Sequence, residues 1–341
     1  MIQYLFHYLL FLAEALTVVA VILLVLAGIL ILVKQARAQA GEHIEVTNLN
    51  KRFHDMRDAL FAEVLPQAER KRRAKEDKRR RKARKRSAKA GQKEVRPQLY
   101  VLDFHGDVRA SAVEALREEI TAVLQVAGEN DEVLLRLESA GGMVHGYGLA
   151  ASQLARLRAR GIRLVVAVDK VAASGGYMMA CVAERIIAAP FAIVGSIGVV
   201  GQLPNFNRLL KDRHIDFELH TAGQYKRTLT LFGENTDEAR RKFQQELEEA
   251  HALFKSFVTD NRPKLDVESV ATGEHWFGKQ ALDLHLVDAL QTSDDYLLQA
   301  SEARDIYAVT YRRPKTLAQR LSDNLTQLRD PAAGLLASRQ G

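Results

Sequence analysis

Two glycine-rich stretches hold groups that could polarise and attack a carbonyl. Residues 138–143 are Glu-Ser-Ala-Gly-Gly-Met, and residues 169–177 are Asp-Lys-Val-Ala-Ala-Ser-Gly-Gly-Tyr. Paired glycines let backbone N–H groups turn toward a ligand without side-chain hindrance. At the start of a helix such groups form an oxyanion site that the helix dipole reinforces. Ser174 stands where its hydroxyl could serve that site as a nucleophile, although a serine capping a helix is the plainer reading of the same residues. A nucleophilic hydroxyl needs a base. Of the ten histidines none lies near Ser174 in sequence; the nearest, His145 and His214, fall in or beside predicted helices. A lysine can serve if its pKa is brought from about 10.4 to about 7–8, at about 1.4 kcal/mol per unit, which demands a buried and largely apolar pocket. Lys226, in Gly223-Gln224-Tyr225-Lys226 ahead of an uncharged stretch at 228–232, is one candidate that spacing alone does not separate from other lysines.

The elements around these stretches alternate. Residues 99–104 predict a strand, 111–126 an amphipathic helix opening at a Ser111 cap, 132–137 a second strand, 144–158 a helix and 162–168 a third strand. A short helix is predicted from Ser174, a strand over 185–188, and two further helices over 207–212 and 237–260. This rhythm predicts an α/β fold, a parallel sheet flanked by helices, with both glycine-rich stretches at the carboxyl ends of strands, where such sheets gather their chemistry. The tail after Pro314 is polar and helix-prone.

Upstream the chain has a different character. Residues 15–33 (ALTVVAVILLVLAGILILV) carry no charge over 19 positions, about the length that spans a bilayer core as a helix. The apolar run is long for a signal-peptide core and no Lys or Arg precedes it, which predicts a retained anchor over a cleaved leader. Lys34, Arg37, Lys51 and Arg52 just after the span lean toward a cytoplasmic C-terminal bulk by the positive-inside rule. Residues 42–68 show helical spacing, and a basic run follows. Between Arg70 and Lys89 there are 14 Lys/Arg against Glu76 and Asp77, so the formal charge of +7 leaves −5 on the rest of the 341 residues. A nucleic-acid-binding domain would instead spread its basic residues over a folded face, so that class is excluded. The run is a solvated tether or a contact for anionic lipid headgroups. The single cysteine, Cys181, excludes an intramolecular disulfide framework and sits among apolar residues as core filling.

Taken together, four segments resemble the signal peptide peptidase A family of Ser/Lys peptidases (peptidase S49). They are Leu137-Glu138-Ser139-Ala140-Gly141-Gly142, Ala173-Ser174-Gly175-Gly176-Tyr177, Val194-Gly195-Ser196-Ile197-Gly198-Val199 and Gly223-Gln224-Tyr225-Lys226. With its apolar N terminus and basic insert, the chain is similar to the SohB-like, inner-membrane branch of that family. The resemblance implies a Clp/crotonase-like architecture with Ser174 as nucleophile, Lys226 as base, Ser196 as the hydroxyl orienting the lysine amine, and the Gly142 and Gly175 N–H groups as the oxyanion hole. The Clp-type relatives place a histidine base after the nucleophile; residues 194–202 contain none here. Where the family has proline before the paired glycines, this chain has Ala140.

The resemblance implies polypeptide substrates (signal-peptide remnants or misfolded envelope proteins), no cofactor or metal, assembly of several copies, and a catalytic domain on the outer side of a bacterial inner membrane. That sidedness opposes the charge lean. The corresponding organisation is an anchor over 1–34, a helical and basic membrane-proximal segment over 35–98, the peptidase domain over 99–290 and a peripheral helical tail over 291–341. Two other readings use the same features. A crotonase-like acyl-transfer or thioester enzyme would share the oxyanion glycines, and a membrane scaffold would keep the dyad as a vestige.

Overall fold

The computed structural model describes residues 14–25, 28, 41–73, 75, 76, 79, 82 and 96–313. Residues 45–310 form one compact unit. Its strands are long apolar runs, because a parallel sheet covered on both faces must be apolar on both. The alternating segments begin with β2 (Gln98–His105), α2 (Val113–Leu124), β3 (Glu132–Glu138), α3 (Val144–Ala159) and β4 (Arg163–Val168). They continue through β5 (Val171–Ala173), α4 (Gly175–Ala180), β6 (Arg185–Ala188) and β7 (Ile193–Gly195). Next come α5 (Asn207–Asp212), α6 (Asp237–Asn261), α7 (Val267–Val270), β8 (His275–Phe277) and α8 (Gly278–Asp283). β9 (Ala289–Leu290), α9 (Ser293–Ala303) and β10 (Asp305–Arg312) close the series. β1 (His43–Asn48) and α1 (Leu49–Val64) precede it.

The main sheet runs β1-β10-β2-β3-β4-β6-β9, and from β10 to β9 every neighbour is parallel. On one face Leu99, Val101, Leu134, Val165, Ala167, Ile187 and Ile306 form a core with Leu49 of α1 and Leu297 of α9. The alternate residues, Leu102, Phe104, Leu135, Leu137 and Val166, are equally buried on the opposite face, and α2 and α3 pack against β2 and β4. Each such side chain contributes about 1.5–3 kcal/mol of burial. A smaller sheet, β5-β7-β8, starts where β3 ends, at a parallel bridge between Ser139 and Ala172. It is mixed, since β7 meets β8 antiparallel, and so the fold is α/β but not wholly parallel.

Three expectations are corrected here. Residues 43–48 are a strand and not the start of a helix, because β-branched Ile44, Val46 and Thr47 suit the sheet; the helix begins at Leu49, with the Asn48 side chain accepting from Lys51 N–H at 2.9 Å. Residues 291–310 are no peripheral helical tail: α9 covers the core and β10 lies inside the sheet, its Ile306 fully buried. Ser111 does not cap α2. Its hydroxyl instead donates to Asp107 at 2.7 Å, within a turn that Asp107 ties by also accepting the Arg109 and Ser111 N–H groups. Those bonds hold the Asp107 carboxyl below its usual pKa.

Residues 14–25 are helical and exposed. Among the described residues no helix is long and apolar enough to cross a membrane; much of the apolar stretch at 15–33, most of the basic run and the tail after Pro314 lie outside them. In the chain's other compact unit, residues 1–44 and 311–341, Tyr311 donates to Glu42 at 2.5 Å and Arg313 approaches the same carboxylate at 3.6 Å.

Candidate active site

Two strand ends bring the serines together. β5 pairs with β7 in parallel register, Ala173 opposite Gly195, so Ser174 and Ser196 leave adjacent strands side by side. The Ser174 N–H donates to the Gly195 carbonyl at 2.8 Å, which ties the two exits. The Ser196 N–H donates to the Glu274 carbonyl at 2.6 Å, ahead of β8. Both serines have positive φ, 53° for Ser174 and 51° for Ser196. A side chain held there costs about 1–3 kcal/mol and persists only where the surroundings impose it.

Ser174 occupies the N-cap position of α4, yet its side chain makes no capping hydrogen bond. The plain reading of it as a helix cap therefore fails. The strained turn (ψ −119°) leaves the hydroxyl half-buried and free of hydrogen bonds among the described residues, above the first turn of α4.

The other glycine-rich stretch closes on the same point. Gly141 has φ +90°, and a Cβ there would lie 2.7 Å from the Ser174 Cβ and 2.8 Å from the Gly175 nitrogen. Only glycine permits both that turn and that approach. The Gly175 N–H follows Ser174 directly and the Gly142 N–H follows the Gly141 that meets it; neither has an acceptor among the described residues. Gly175 is the first residue of α4, where unpaired N–H groups are intrinsic to a helix. The structure thus brings together Ser174, Ser196 and Gly175, with Gly142 one residue on from the Gly141 that meets them.

Lys226 is not gathered with them. It lies in an exposed turn, its N–H donating to the Gly223 carbonyl at 3.2 Å, and its amine has no hydrogen-bond partner among the described residues. Cys181 is fully buried, and burial pushes its thiol up to about 12, as suits core filling and not nucleophilic chemistry.

Sequence reasoning overlooked the support behind the glycines. Ser139 Oγ accepts from the Gly141 N–H at 3.1 Å and lies 2.6 Å from the Tyr147 hydroxyl, which donates to the Asp107 carbonyl at 2.8 Å. Ser139 was visible as part of its motif. Tyr147 carried only a weak signal: an aromatic one turn into the helix that follows the glycines.

Beside this site a recess of about 180 Å³ is lined by Asp103, His105, Arg136, Glu138, Asp169 and Lys170. Its charges satisfy one another. Arg136 grips Asp103 at 2.5 and 2.7 Å, Lys170 holds Glu138 at 3.0 and 3.1 Å, and Ser293 donates to Asp169 at 2.5 Å. Among the described residues no three His, Cys, Asp or Glu side chains converge as a metal site.

With this geometry in place, the comparisons with known proteins decide the family. Residues 3–154 match the peptidase family S49 N-terminal model, and residues 156–307 match the peptidase family S49 model. The chain belongs to peptidase family S49. A Haemophilus influenzae protein named "Probable protease SohB" is 52% identical over 317 residues, covering 91% of this chain and 90% of that one. Another of that name, from Buchnera aphidicola subsp. Schlechtendalia chinensis, is 49% identical over 305 residues, covering 87% and 99%. A solved membrane-bound stomatin-specific protease, 1510-N, in complex with a substrate peptide, aligns at 12% identity and a TM-score of 0.41, over 68% of this chain and 99% of that one. Membership in S49 makes proteolysis, with polypeptide as substrate, the activity of this chain.

Proposed function

We propose that this S49 peptidase is a serine endopeptidase in which Ser174 attacks the scissile carbonyl. The observation that carries the reading is Ser174 itself, a strained, uncapped serine at the start of α4, next to the unpaired N–H of Gly175 and in contact with the Gly141 turn. In the reaction Ser174 Oγ adds to the carbonyl carbon and its proton passes to the neutral Lys226 amine. The resulting oxyanion accepts from the Gly142 and Gly175 N–H groups. The C–N bond then breaks, the leaving amine takes the proton from Lys226, and water hydrolyses the acyl-enzyme by the same path in reverse. Ser196, just past the strand that pairs with the one leading to Ser174, orients the lysine amine.

This assignment requires residues 197–236 to bring Lys226 onto Ser174 and exclude water around it, since a lysine base works only when neutral. The architecture around the dyad is Clp/crotonase-like, and several copies assemble around shared sites. The apolar segment at 15–33 anchors the chain in a bacterial inner membrane, the basic run meets anionic headgroups, and the catalytic domain faces outward onto signal-peptide remnants and misfolded envelope proteins. The readings as a thioester enzyme or a vestigial scaffold are separated from this one by labelling. A fluorophosphonate should label the full chain, the label should vanish in Ser174→Ala, and cleavage of an unfolded protein should vanish in both Ser174→Ala and Lys226→Ala. Retained cleavage in either variant overturns the dyad, and protease accessibility in intact spheroplasts tests the sidedness.

A further inference from the structure

The two N–H groups proposed as the oxyanion hole come from separate loops, and one side chain touches the support of both. The Tyr147 hydroxyl has a single proton, and the Asp107 carbonyl 2.8 Å away can only accept it. The Ser139 hydroxyl, 2.6 Å from the phenol oxygen, therefore donates to it, and Ser139 Oγ accepts from the Gly141 N–H. The chain of donors runs one way: Gly141 N–H, Ser139, Tyr147, Asp107 carbonyl. At the other end of the glycine turn the Met143 N–H donates to the Val108 carbonyl at 2.8 Å. Gly142 lies between these two anchored N–H groups, and its own is the one left open.

The Tyr147 ring supports the second loop. A Cβ on Gly175 would overlap the ring, so the first residue of α4 rests directly on it. The ring is fully buried and is fixed from behind by Phe104 in an edge contact with centroids 6.4 Å apart. A Cβ on Gly106 would overlap both hydroxyls, so the Ser139–Tyr147 pair is closed over with no room for a different arrangement. Burial raises the phenol above its ordinary pKa, which keeps its proton in place at neutral pH.

We infer that Tyr147 is a positioning residue for the oxyanion site: its hydroxyl, through Ser139, sets the direction of the Gly142 N–H, and its ring sets the height of the Gly175 N–H. This rests on the reading of Ser174 as nucleophile. A buried network whose members are all satisfied has one geometry, and a displaced oxyanion donor loses much of its worth in the transition state while leaving ground-state binding intact.

The test uses the full chain, a fluorogenic peptide amide with alanine at the cleaved bond, and a matching peptide aldehyde whose adduct with Ser174 carries an oxyanion. Rates are taken per mole of fluorophosphonate-labelled Ser174, which removes any unfolded fraction. Tyr147→Phe keeps the ring and should lower kcat about tenfold, less than the hundredfold or more for removing an oxyanion donor outright. Aldehyde affinity should fall by a similar factor and KM should move less than twofold. Ser139→Ala, a smaller change, should give the same split, and the double variant should be no worse than the worse single. An unchanged kcat in both variants, a loss confined to KM, or additive losses would overturn the inference. Cleavage surviving in Ser174→Ala would instead overturn the underlying reading, and the two failures are distinguishable.

Discussion

The two halves of the proposed dyad stand in opposite surroundings. Around Ser174 the backbone is pinned from every side: the Ser139–Ala172 bridge, the bond from Ser174 to Gly195, Gly141 against Gly175, and Tyr147 beneath them. Around Lys226, in residues 197–236, the chain contains one short helix and displays its apolar residues, with Val200 78% and Phe217 44% exposed. Local order there comes from a small clamp. Asn205 donates to the Thr230 and Gly233 carbonyls at 2.9 and 3.0 Å, and Phe232 stacks with Phe206 and Phe217 at 6.0 and 5.8 Å. On the proposed assignment the nucleophile and its oxyanion groups are preorganised, whereas the base has still to be desolvated. A protease built this way keeps its costly electrostatic geometry in the core and makes its reactivity conditional on the less constrained segment.

The largest effects break that division outright. Ser174→Ala should abolish turnover, with a loss beyond a thousandfold, while leaving the melting temperature within a few degrees, because alanine inherits the same strained φ. Ser174→Gly should be equally inactive but more stable by about 1 kcal/mol, the strain being relieved; a melt that does not rise would mean the turn is unstrained. Lys226→Ala should match the kinetic loss with no change in stability, since its amine supports nothing in the fold.

Next come changes to the pinned half alone. Gly142→Ala places a methyl against the Val108 carbonyl oxygen and should lower kcat by about a hundredfold through displacement of one oxyanion donor. An equivalent substitution in the exposed half, Gly223→Ala, meets only the Lys226 Cβ at 4.0 Å, but its φ of +98° costs about 1 kcal/mol of local stability. Parallel kcat measurements on the two variants would show whether the two regions differ as described.

A third effect is acid dependence. Burial opposes ionisation of Asp288, but the Arg262 guanidinium at 2.7 and 2.9 Å and the Ile186 N–H at 2.7 Å outweigh it and hold the carboxyl below the usual range. A lowered folded-state pKa means the pair's stabilisation is present above the ordinary carboxylate value of about 3.9 and lost as pH falls through the lower, folded one. Denaturant midpoints from pH 6 down to 2 should fall further in the parent chain than in Asp288→Asn, which lacks this titrating group and keeps only the losses from other carboxyls such as Asp107. The smallest effect is Ala140→Pro. Ala140 is exposed, its N–H has no acceptor among the described residues, and the preceding Ser139 is extended as proline requires. The variant should equal or slightly exceed the parent in rate and gain a few tenths of a kcal/mol in stability. A large loss of activity would show that the turn needs more freedom than the structure gives it.

The strands β2, β3, β4 and β6 and the helices between them were legible from apolar runs and amphipathic spacing, to within two residues at each end. β5 and β7, of three residues each, were not, because such short strands carry no period; they form only where Ser139 and the turn after Lys170 present partners. β10 was hidden by distance, since nothing in its own polar-flanked pattern reveals that a strand near residue 306 pairs with one near residue 99.

The glycine pairs, Ser174 and the apolar and basic character of the N terminus were local properties, determined by residue type and spacing alone. They marked the loops proposed to carry the chemistry, while the alternation of strands and helices marked the fold class. Only the tertiary structure decided that Ser174 caps nothing, that Ser196 leaves the neighbouring strand, and that Tyr147 lies beneath both glycine-rich loops. Each of these is a contact between segments far apart in the chain or a dihedral that such contacts impose. A sequence records which side chains are present, but long-range packing selects the one arrangement in which they meet.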